Sequence, residues 1–250
     1  MDWKARALKR AIDVAGATAG LVVTAPLFPL LAAAVRLTSK GPIFYEQVRC
    51  GADRRAGVAP PHTVSEQRQD DRGYRTFRMR KFRTMRVDAE ASTGAVLAKQ
   101  NDSRLTPIGG FLRKTRLDEL PQLVHVLRGE MSLVGPRPER PELMDKIERA
   151  VPFFHERMRL IKPGITGLAQ IKLAYDGSFD GSEESTRHLE QMLKDVKIKN
   201  DEADANRIFA NKLLYDLAYS AILETPSEWL KTDLEIIVKT PLVMVLGKGR

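Results

Sequence analysis

Two patterns of apolar residues, a continuous run and a helical spacing, predict the main helices of the chain. Residues 11–35 form an apolar run whose length approaches that of a membrane-spanning helix. Beyond Glu119, apolar side chains recur at the i, i+3, i+4, i+7 spacing of a helix, namely Leu120, Leu123, Val124 and Leu127. This spacing predicts a helix from about residue 119 to Gly129, with Pro121 in its first turn. Short strands are predicted where turn residues precede apolar runs, at 43–49, 74–85 and 165–171.

The C-terminal part of the chain carries a second clear helix signal. Thr225-Pro226-Ser227-Glu228 has the form of a capping box with proline at the first helical position. An apolar face follows, formed by Trp229, Leu230, Leu234, Ile237 and Val238. This amphipathic helix is expected either along a membrane interface or against a core, and the pattern does not separate the two.

Polar stretches divide the chain into four parts. Residues 1–40 carry the apolar run and its basic flanks, and residues 41–175 form a core with an exposed insertion at 52–73. Residues 176–212 are charged and poor in apolar residues, except for a predicted helix around 189–198. Residues 213–250 hold the amphipathic helices. Together the patterns predict a mainly helical α+β protein.

The apolar run is predicted to bend rather than cross a membrane straight. Pro26 and Pro29 lie near its middle and should break or kink a helix there. Basic residues flank both ends: Lys4, Arg6, Lys9 and Arg10 before it, and Arg36 and Lys40 after it. Because cations favour the cytoplasmic side, the two ends are expected on that side, as in a re-entrant hairpin. A straight signal anchor with a proline kink is the alternative.

A carboxylate, Asp13, lies inside this apolar run. Such a group is costly unless it is paired, and Lys9 and Arg10 lie on the same helical face. We therefore predict a polar bracket of Lys9, Arg10 and Asp13 at the membrane surface, with a structural role.

The charge of the whole chain indicates anionic partners. The formal net charge is +9 and the isoelectric point is near 9.7, which fits nucleic acid, acidic lipid or phosphorylated substrates. The basic strand at 74–85 lacks the interleaved aromatics of a single-strand binder, so nucleic acid is not expected. The single cysteine, Cys50, excludes an intramolecular disulfide and fits a reducing compartment.

Candidate chemistry concentrates just before the predicted helix. Two adjacent carboxylates, Asp118 and Glu119, follow a basic cluster of Arg113, Lys114 and Arg116. A rigid turn, Gly135-Pro136-Arg137-Pro138, returns another cation toward them. Acids and cations together at a helix start suit metal-assisted handling of phosphate. Asp118 is equally well interpreted as a simple helix N-cap.

An ordered set of motifs resembles the bacterial sugar transferases, specifically the monotopic polyprenyl-phosphate phosphoglycosyltransferases. The motifs are Lys9-Arg10-x-x-Asp13, Lys40-Gly41-Pro42, Lys81-Phe82-Arg83-Thr84-Met85, Asn101-Asp102-x-Arg104-x-Thr106, Leu117-Asp118-Glu119-Leu120-Pro121-Gln122, Gly129 through Pro138, Pro163-Gly164-Ile165-Thr166-Gly167, and Asp216 with Tyr219. Each motif alone is modest, whereas their order along most of the chain is specific.

The resemblance implies a reaction and its residues. Asp118 matches a nucleophile that takes the phosphosugar from a UDP-sugar and releases UMP, and Glu119 matches a Mg²⁺ ligand. The covalent intermediate then passes to undecaprenyl phosphate, the first membrane step of a bacterial polysaccharide or glycoconjugate. Suitable phosphate partners are Lys81, Arg113, Arg137 and Lys162. The implied protein is a small mixed catalytic domain with a re-entrant hairpin, on the cytoplasmic side of the inner membrane, and a homodimer is compatible with it.

The chain departs from the family pattern at four places, one of which is the continuation Ile171-Lys172-Leu173-Ala174-Tyr175 after Gln170. Ala25 precedes Pro26 where some members carry serine, and Lys162 stands where arginine is common. The 176–212 stretch is longer than in small members, which leaves the sugar open. Two other functions stay open as well: a basic membrane-anchored binding protein, and a phosphohydrolase that cleaves UDP-sugars with water.

Overall fold

The computed structural model describes residues 3–53, 74–91, 94, 96, 102–159, 161–173 and 203–245. In these ranges the chain is mixed helix and sheet and mainly helical, as predicted. The helices are α1 (Trp3–Thr24), α2 (Leu27–Thr38), α3 (Gly109–Lys114), α4 (Gln122–Arg128), α5 (Pro141–Ala150), α6 (Leu168–Lys172), α7 (Ala203–Ile222) and α8 (Pro226–Val245). The strands are β1 (Phe44–Asp53), β2 (Tyr74–Phe82), β3 (Ser132–Val134) and β4 (Gly164–Thr166), and 3₁₀ turns cover Leu117–Glu119 and Phe154–Met158.

The N-terminal apolar run folds as two helices joined by a sharp bend. The break between α1 and α2 falls at Ala25 and Pro26, and the two helix axes differ by 63°. Pro29 lies in the first turn of α2, where a missing N–H costs nothing. Among the described helices none alone is long and apolar enough to cross a membrane, but this bent pair meets the length and composition test. The break predicted from the two prolines is therefore confirmed.

The polar residues of α1 do not pair with one another, so the predicted local bracket is wrong. Lys9 contacts Asp233 of α8 at 2.5 Å and the Tyr219 hydroxyl of α7 at 3.1 Å. Arg10 donates to the carbonyls of Val126 and Leu127 at the end of α4. Lys9 and Arg10 each bind residues that are distant in sequence, and helical spacing cannot predict such partners.

Asp13 is anchored in the same way. Its carboxylate accepts hydrogen bonds at 2.9 Å from the Ser132 hydroxyl and from the Leu133 backbone N–H, at the start of β3. A buried carboxylate with two hydrogen-bond donors is satisfied without an ion pair to a residue of its own helix. Asp13 thus has partners other than the predicted ones, and its structural role stays a prediction.

Replacing Lys9 by methionine is expected to destabilise the protein by about 3–5 kcal/mol. The change leaves the Asp233 carboxylate, which is 2% exposed, without its cation. Thermal unfolding of the purified protein measures the loss. Adding Asp233→Asn to Lys9→Met removes the unpaired charge and should recover part of the stability; a double variant no more stable than Lys9→Met would contradict this account.

Two small sheets hold the residues between the helical parts. β1 and β2 form an antiparallel hairpin in which Phe44 lies opposite Phe82 and Tyr45 lies opposite Lys81, so both predicted strands are confirmed. β3 and β4 pair in parallel. Their ends pass so closely that a Cβ on Gly164 would lie 2.1 Å from the Gly135 nitrogen. The third predicted strand is shorter than expected, because residues Leu168–Lys172 continue as helix α6.

The C-terminal helices pack into the core rather than standing apart from it. Trp229 and Ile236 of α8 are fully buried in a cluster that includes Ala5 of α1 and Tyr219 of α7. Core packing therefore explains Trp229 at the head of α8, and membrane contact does not. Leu234 is 51% and Val238 73% exposed, so part of the predicted apolar face lies outside this core.

The predicted polar stretches are described only in part. Residues 52–53 belong to β1, and the rest of the 52–73 insertion lies outside the described residues. The helix predicted around 189–198 also lies outside them. Residues 203–212 form the first half of α7, with Phe209 5% exposed, so one helix runs through the boundary predicted at 212.

Candidate active site

The carboxylate pair lies in a tight turn and not in a helix. Asp118 and Glu119 belong to the 3₁₀ turn Leu117–Glu119, and α4 begins only at Gln122. Pro121 is the N-cap residue of α4, and no side chain caps either helix start. The helix predicted from residue 119 thus starts three residues later. The interpretation of Asp118 as an N-cap is wrong, because its carboxylate caps neither helix.

The turn carries both acids in buried positions and is preceded by a residue with positive φ. Arg116 precedes it in the left-handed region, with φ of 55°, which a non-glycine residue adopts only at some cost. Beyond it, α4 ends as predicted at Gly129, where φ is 77°. Asp118 is 4% exposed and Glu119 is 6% exposed. Buried carboxylates require compensating charge, and cations from several elements supply it.

Two arginines hold Glu119. The Arg137 guanidinium lies 2.6 Å from Oε1, and the Arg116 guanidinium lies 3.4 Å from Oε2. Burial alone would raise the pKa of Glu119, but the two arginines outweigh it, and this pKa lies well below its ordinary value. Glu119 also raises the pKa of Arg137. Glu119 is therefore a permanent anion at neutral pH.

Asp118 has the opposite electrostatic environment. Burial raises its pKa first, the adjacent Glu119 raises it further, and Lys81, Arg113 and Arg137 oppose both effects. Within the described part of the chain, no hydrogen bond to the Asp118 carboxylate is found. A desolvated carboxylate without hydrogen-bond donors is a stronger nucleophile than one that is solvated or tied up.

The structure assembles three of the four predicted phosphate partners. Lys81 lies near the end of β2, Arg113 in the last turn of α3 and Arg137 in the turn after β3, and all three act electrostatically on Asp118. Lys162 lies elsewhere. Its ammonium is next to Gly129, and its charged neighbours are Arg10 and Asp13.

The pKa of Lys81 makes a prediction about pH. Burial lowers this pKa to about 8, and Arg49 and Arg113 add to the effect against the attraction of Asp118. As pH rises through about 8, the ammonium loses its proton and can no longer attract a phosphate group electrostatically. The reaction rate should therefore fall at alkaline pH. Lys81→Arg should shift this alkaline limb of the pH–rate profile to higher pH and lower the maximal rate about tenfold.

Rate against pH for the two proteins checks this expectation. Lys114→Arg is the matched control, because Lys114 is exposed and its replacement should leave the alkaline limb in place. An alkaline limb that stays unchanged in Lys81→Arg would assign it to another group.

Sequence reasoning missed two arginines that support the site. Arg49 of β1 donates to the Pro138 carbonyl at 3.1 Å, and burial lowers its pKa to about 10. Arg157, which is 2% exposed, donates to the Arg137 carbonyl at 2.6 Å. Neither belongs to a pattern that marks it in the sequence, since Arg49 is one of several cations on strands and Arg157 follows an ordinary His-Glu pair.

A metal at this site would depend on few protein ligands. In the described ranges there is no group of three or more His, Cys, Asp or Glu side chains that could hold a metal. Asp118 and Glu119 supply two adjacent carboxylates, both beside cations that suit phosphate. This donor set fits Mg²⁺, which binds through one or two carboxylates together with substrate phosphates and water.

Known proteins are similar in sequence to most of this chain. The family profile described as "Bacterial sugar transferase" matches residues 4–247. A Bacillus subtilis protein, provisionally named undecaprenyl-phosphate N-acetylgalactosaminyl 1-phosphate transferase, is 37% identical over 170 residues, which are 68% of this chain and 79% of that protein.

Two longer relatives contain the same region. The UDP-N-acetylgalactosamine-undecaprenyl-phosphate N-acetylgalactosaminephosphotransferase of Aeromonas hydrophila is 35% identical over 76% of this chain and 40% of its own length. The UDP-glucose:undecaprenyl-phosphate glucose-1-phosphate transferase of Escherichia coli (strain K12) is 36% identical over 77% of this chain and 36% of its own length. This chain thus spans well under half of each of these two proteins. The family match over nearly every residue and the assembled carboxylate site lead to one conclusion: the chain belongs to the bacterial sugar transferase family.

Proposed function

We propose that this protein transfers a sugar 1-phosphate from a UDP-sugar to undecaprenyl phosphate. The observation that carries the proposal is Asp118, a buried carboxylate free of hydrogen bonds in the described chain, on which the charges of Lys81, Arg113 and Arg137 all act. The named relatives act on undecaprenyl phosphate with UDP-N-acetylgalactosamine or UDP-glucose, which supports the same two substrate classes here.

The reaction divides into two displacements at one phosphorus atom. An oxygen of Asp118 attacks the phosphorus that bears the sugar, and the bond from this phosphorus to the UMP oxygen breaks. UMP leaves, and an aspartyl phosphosugar remains on the enzyme. A phosphate oxygen of the polyprenyl acceptor then attacks the same phosphorus, which releases the lipid diphosphosugar and restores the carboxylate. A covalent step of this kind lets a soluble donor and a lipid acceptor react in turn.

The cations of the site have separate tasks in this proposal. Arg137 holds Glu119 at 2.6 Å and faces the transferring group, while Lys81 and Arg113 offset charge on the phosphoryl oxygens. Glu119, with its low pKa, is the residue proposed to hold Mg²⁺. When bound, Mg²⁺ neutralises charge on the diphosphate and on the leaving UMP.

The bent pair α1–α2 is proposed to enter and leave a membrane from its cytoplasmic side. Its exposed apolar side chains, among them Val22, Val23 and Leu30, surround the bend at Pro26. The membrane location agrees with the lipid-linked acceptor named for the relatives. This orientation places the catalytic residues in the cytoplasm of a bacterial cell, at the inner membrane, and assembly as a homodimer stays a prediction.

Cysteine labelling tests the hairpin. Trp3→Cys and Lys40→Cys, each in a Cys50→Ser background, place one reactive thiol on either side of the bent pair. Both should react with a membrane-impermeant maleimide only after cells are opened. Labelling of the two positions from opposite sides would show a straight anchor instead.

Mass spectrometry of the purified protein tests the chemistry directly. The protein is mixed with Mg²⁺ and a panel of UDP-sugars, without lipid acceptor. We expect one phosphosugar adduct, located on Asp118, together with one equivalent of UMP. Continuous UMP release without lipid and without an adduct would identify a phosphohydrolase, and binding without UMP release would identify a binding protein.

A further inference from the structure

The backbone segment 136–139, which contains Arg137, is held by hydrogen bonds to four consecutive carbonyls. The carbonyls of Pro136, Arg137, Pro138 and Glu139 accept hydrogen bonds, in that order, from the Gly164 N–H at 2.9 Å, the Arg157 guanidinium at 2.6 Å, the Arg49 guanidinium at 3.1 Å and the Cys50 N–H at 2.9 Å. The donors belong to three separate parts of the chain. A segment anchored at every residue has little freedom to shift, so the Arg137 side chain starts from a fixed point.

Arg157 ties this segment to helix α7. Its second terminal nitrogen lies 2.7 Å from the Asp216 carboxylate, and its guanidinium lies 4.2 Å from the centre of the Phe154 ring. Glu139 completes the group, 3.3 Å from Lys212 and 4.0 Å from Arg157. We call Arg157, Asp216, Glu139 and Lys212 the bracing cluster.

Stability alone does not account for such a cluster. Arg157 and Asp216 are each 2% exposed, and a buried ion pair of this kind often contributes no more than apolar residues of the same volume. Its geometry has a clearer consequence. Arg157 bonds the backbone of the residue whose side chain bonds Glu119, so Asp216 is linked to Glu119 through two arginines.

We propose that Asp216 and Arg157 are positioning residues, which aim Arg137 at Glu119 and at the phosphates of the donor. Asp216 orients Arg157, and Arg157 fixes the Arg137 carbonyl. The Arg137 side chain is then already ordered against Glu119 before each turnover begins. Neither residue touches substrate. The inference rests on the proposed function for its kinetic consequence, although the bracing itself does not.

The chain offers a matched control for this proposal. Asp233 is also 2% exposed and also pairs with a buried cation, Lys9, and its other contact is the Tyr219 hydroxyl of α7, so that neither partner binds the Arg137 carbonyl. Asp216→Asn and Asp233→Asn should therefore change the unfolding temperature to a similar extent. Only Asp216→Asn should lower kcat/KM for UDP-N-acetylgalactosamine or UDP-glucose, by about tenfold to a hundredfold, because small misplacements at a reacting centre are costly.

Arg157→Lys gives a second, milder variant. Lysine can keep the charge opposite Asp216 but cannot bond two acceptors with a planar fork, so the Arg137 carbonyl loses its partner. We expect Arg157→Lys to show the same loss of kcat/KM as Asp216→Asn, with a smaller change in unfolding temperature. Equal kinetic losses in Asp216→Asn and Asp233→Asn would overturn the proposal, as would unchanged kcat/KM in Arg157→Lys.

Hydrogen exchange separates this proposal from the proposed function. Deuterium uptake of peptides covering residues 135–144 is measured in the full chain in lipid nanodiscs, without substrate. Uptake should rise in Asp216→Asn and Arg157→Lys and stay at the wild-type level in Asp233→Asn. Wild-type protein that releases no UMP would refute the proposed function alone, whereas uptake that does not rise in either variant would refute the bracing alone.

Discussion

Asp118→Asn is expected to lower UMP release by a thousandfold or more, on the order of magnitude seen when a covalent nucleophile is lost. Asparagine has nearly the same volume as aspartate, so the turn Leu117–Glu119 should keep its shape. The amide cannot form a stable bond to phosphorus, and the phosphosugar adduct should be absent from its mass spectrum. UMP release with several UDP-sugars, with and without polyprenyl phosphate, is the measurement.

The stability of Asp118→Asn is its internal control. Burial and Glu119 raise the pKa of Asp118, which means that the folded protein disfavours this charge relative to the unfolded chain. Removing the charge should therefore leave the unfolding temperature unchanged or raise it. Inactive protein with normal stability would identify a chemical role, whereas retained turnover would exclude Asp118 as the nucleophile.

Glu119→Gln is expected to lower turnover by about a hundredfold and to move the acidic limb of the pH profile to lower pH. The loss follows because glutamine is a poor Mg²⁺ ligand and leaves Arg137 without its carboxylate. The shift follows because Glu119 is one of the groups that raise the pKa of Asp118. Without that negative neighbour, Asp118 stays ionised, and therefore reactive, at lower pH.

Rate against pH at several Mg²⁺ concentrations tests both parts. The Mg²⁺ concentration for half-maximal rate should rise in Glu119→Gln. Glu130→Gln is a useful control, since Glu130 pairs with His125 at 2.6 Å, away from the carboxylate turn. An acidic limb that keeps its position in Glu119→Gln would mean that Asp118 does not govern it, and an unchanged Mg²⁺ requirement would place the metal on other ligands.

The local features that the sequence predicted share one property, which is that short-range sterics decide them. Pro26 lacks a backbone N–H in the middle of the apolar run and disfavours the helical conformation of Ala25 before it, so the bend at Pro26 follows from the chain alone. The end of α4 at Gly129 and the start of α8 at Pro226 are decided in the same way, by residues suited to helix ends. The strands of the β1–β2 hairpin follow from their alternating pattern.

Predictions failed where the neighbouring residues offered a side chain a local partner that the folded protein does not use. Asp13 has cations three and four residues away, yet its partners are Ser132 and Leu133. Asp118 has the residue type and place of an N-cap, yet the 3₁₀ turn moves the start of α4 past it. For Asp13, hydrogen bonds to a distant element outweighed a contact worth only a few tenths of a kcal/mol on a helix surface.

The sequence by itself determined the family motifs, the bend of the apolar run and the pairing of an Asp-Glu dyad with nearby cations, because all of these lie within a few residues of one another. Only the tertiary structure decided which cations reach the dyad. Lys81, Arg113 and Arg137 come from three parts of the chain and their charges act on Asp118, whereas the charge of Lys162 interacts with Arg10 and Asp13 instead. The bracing cluster was equally invisible, since Arg157 and Asp216 are 59 residues apart. Charges become partners through the packing of the elements that carry them, and spacing along the chain does not specify that packing.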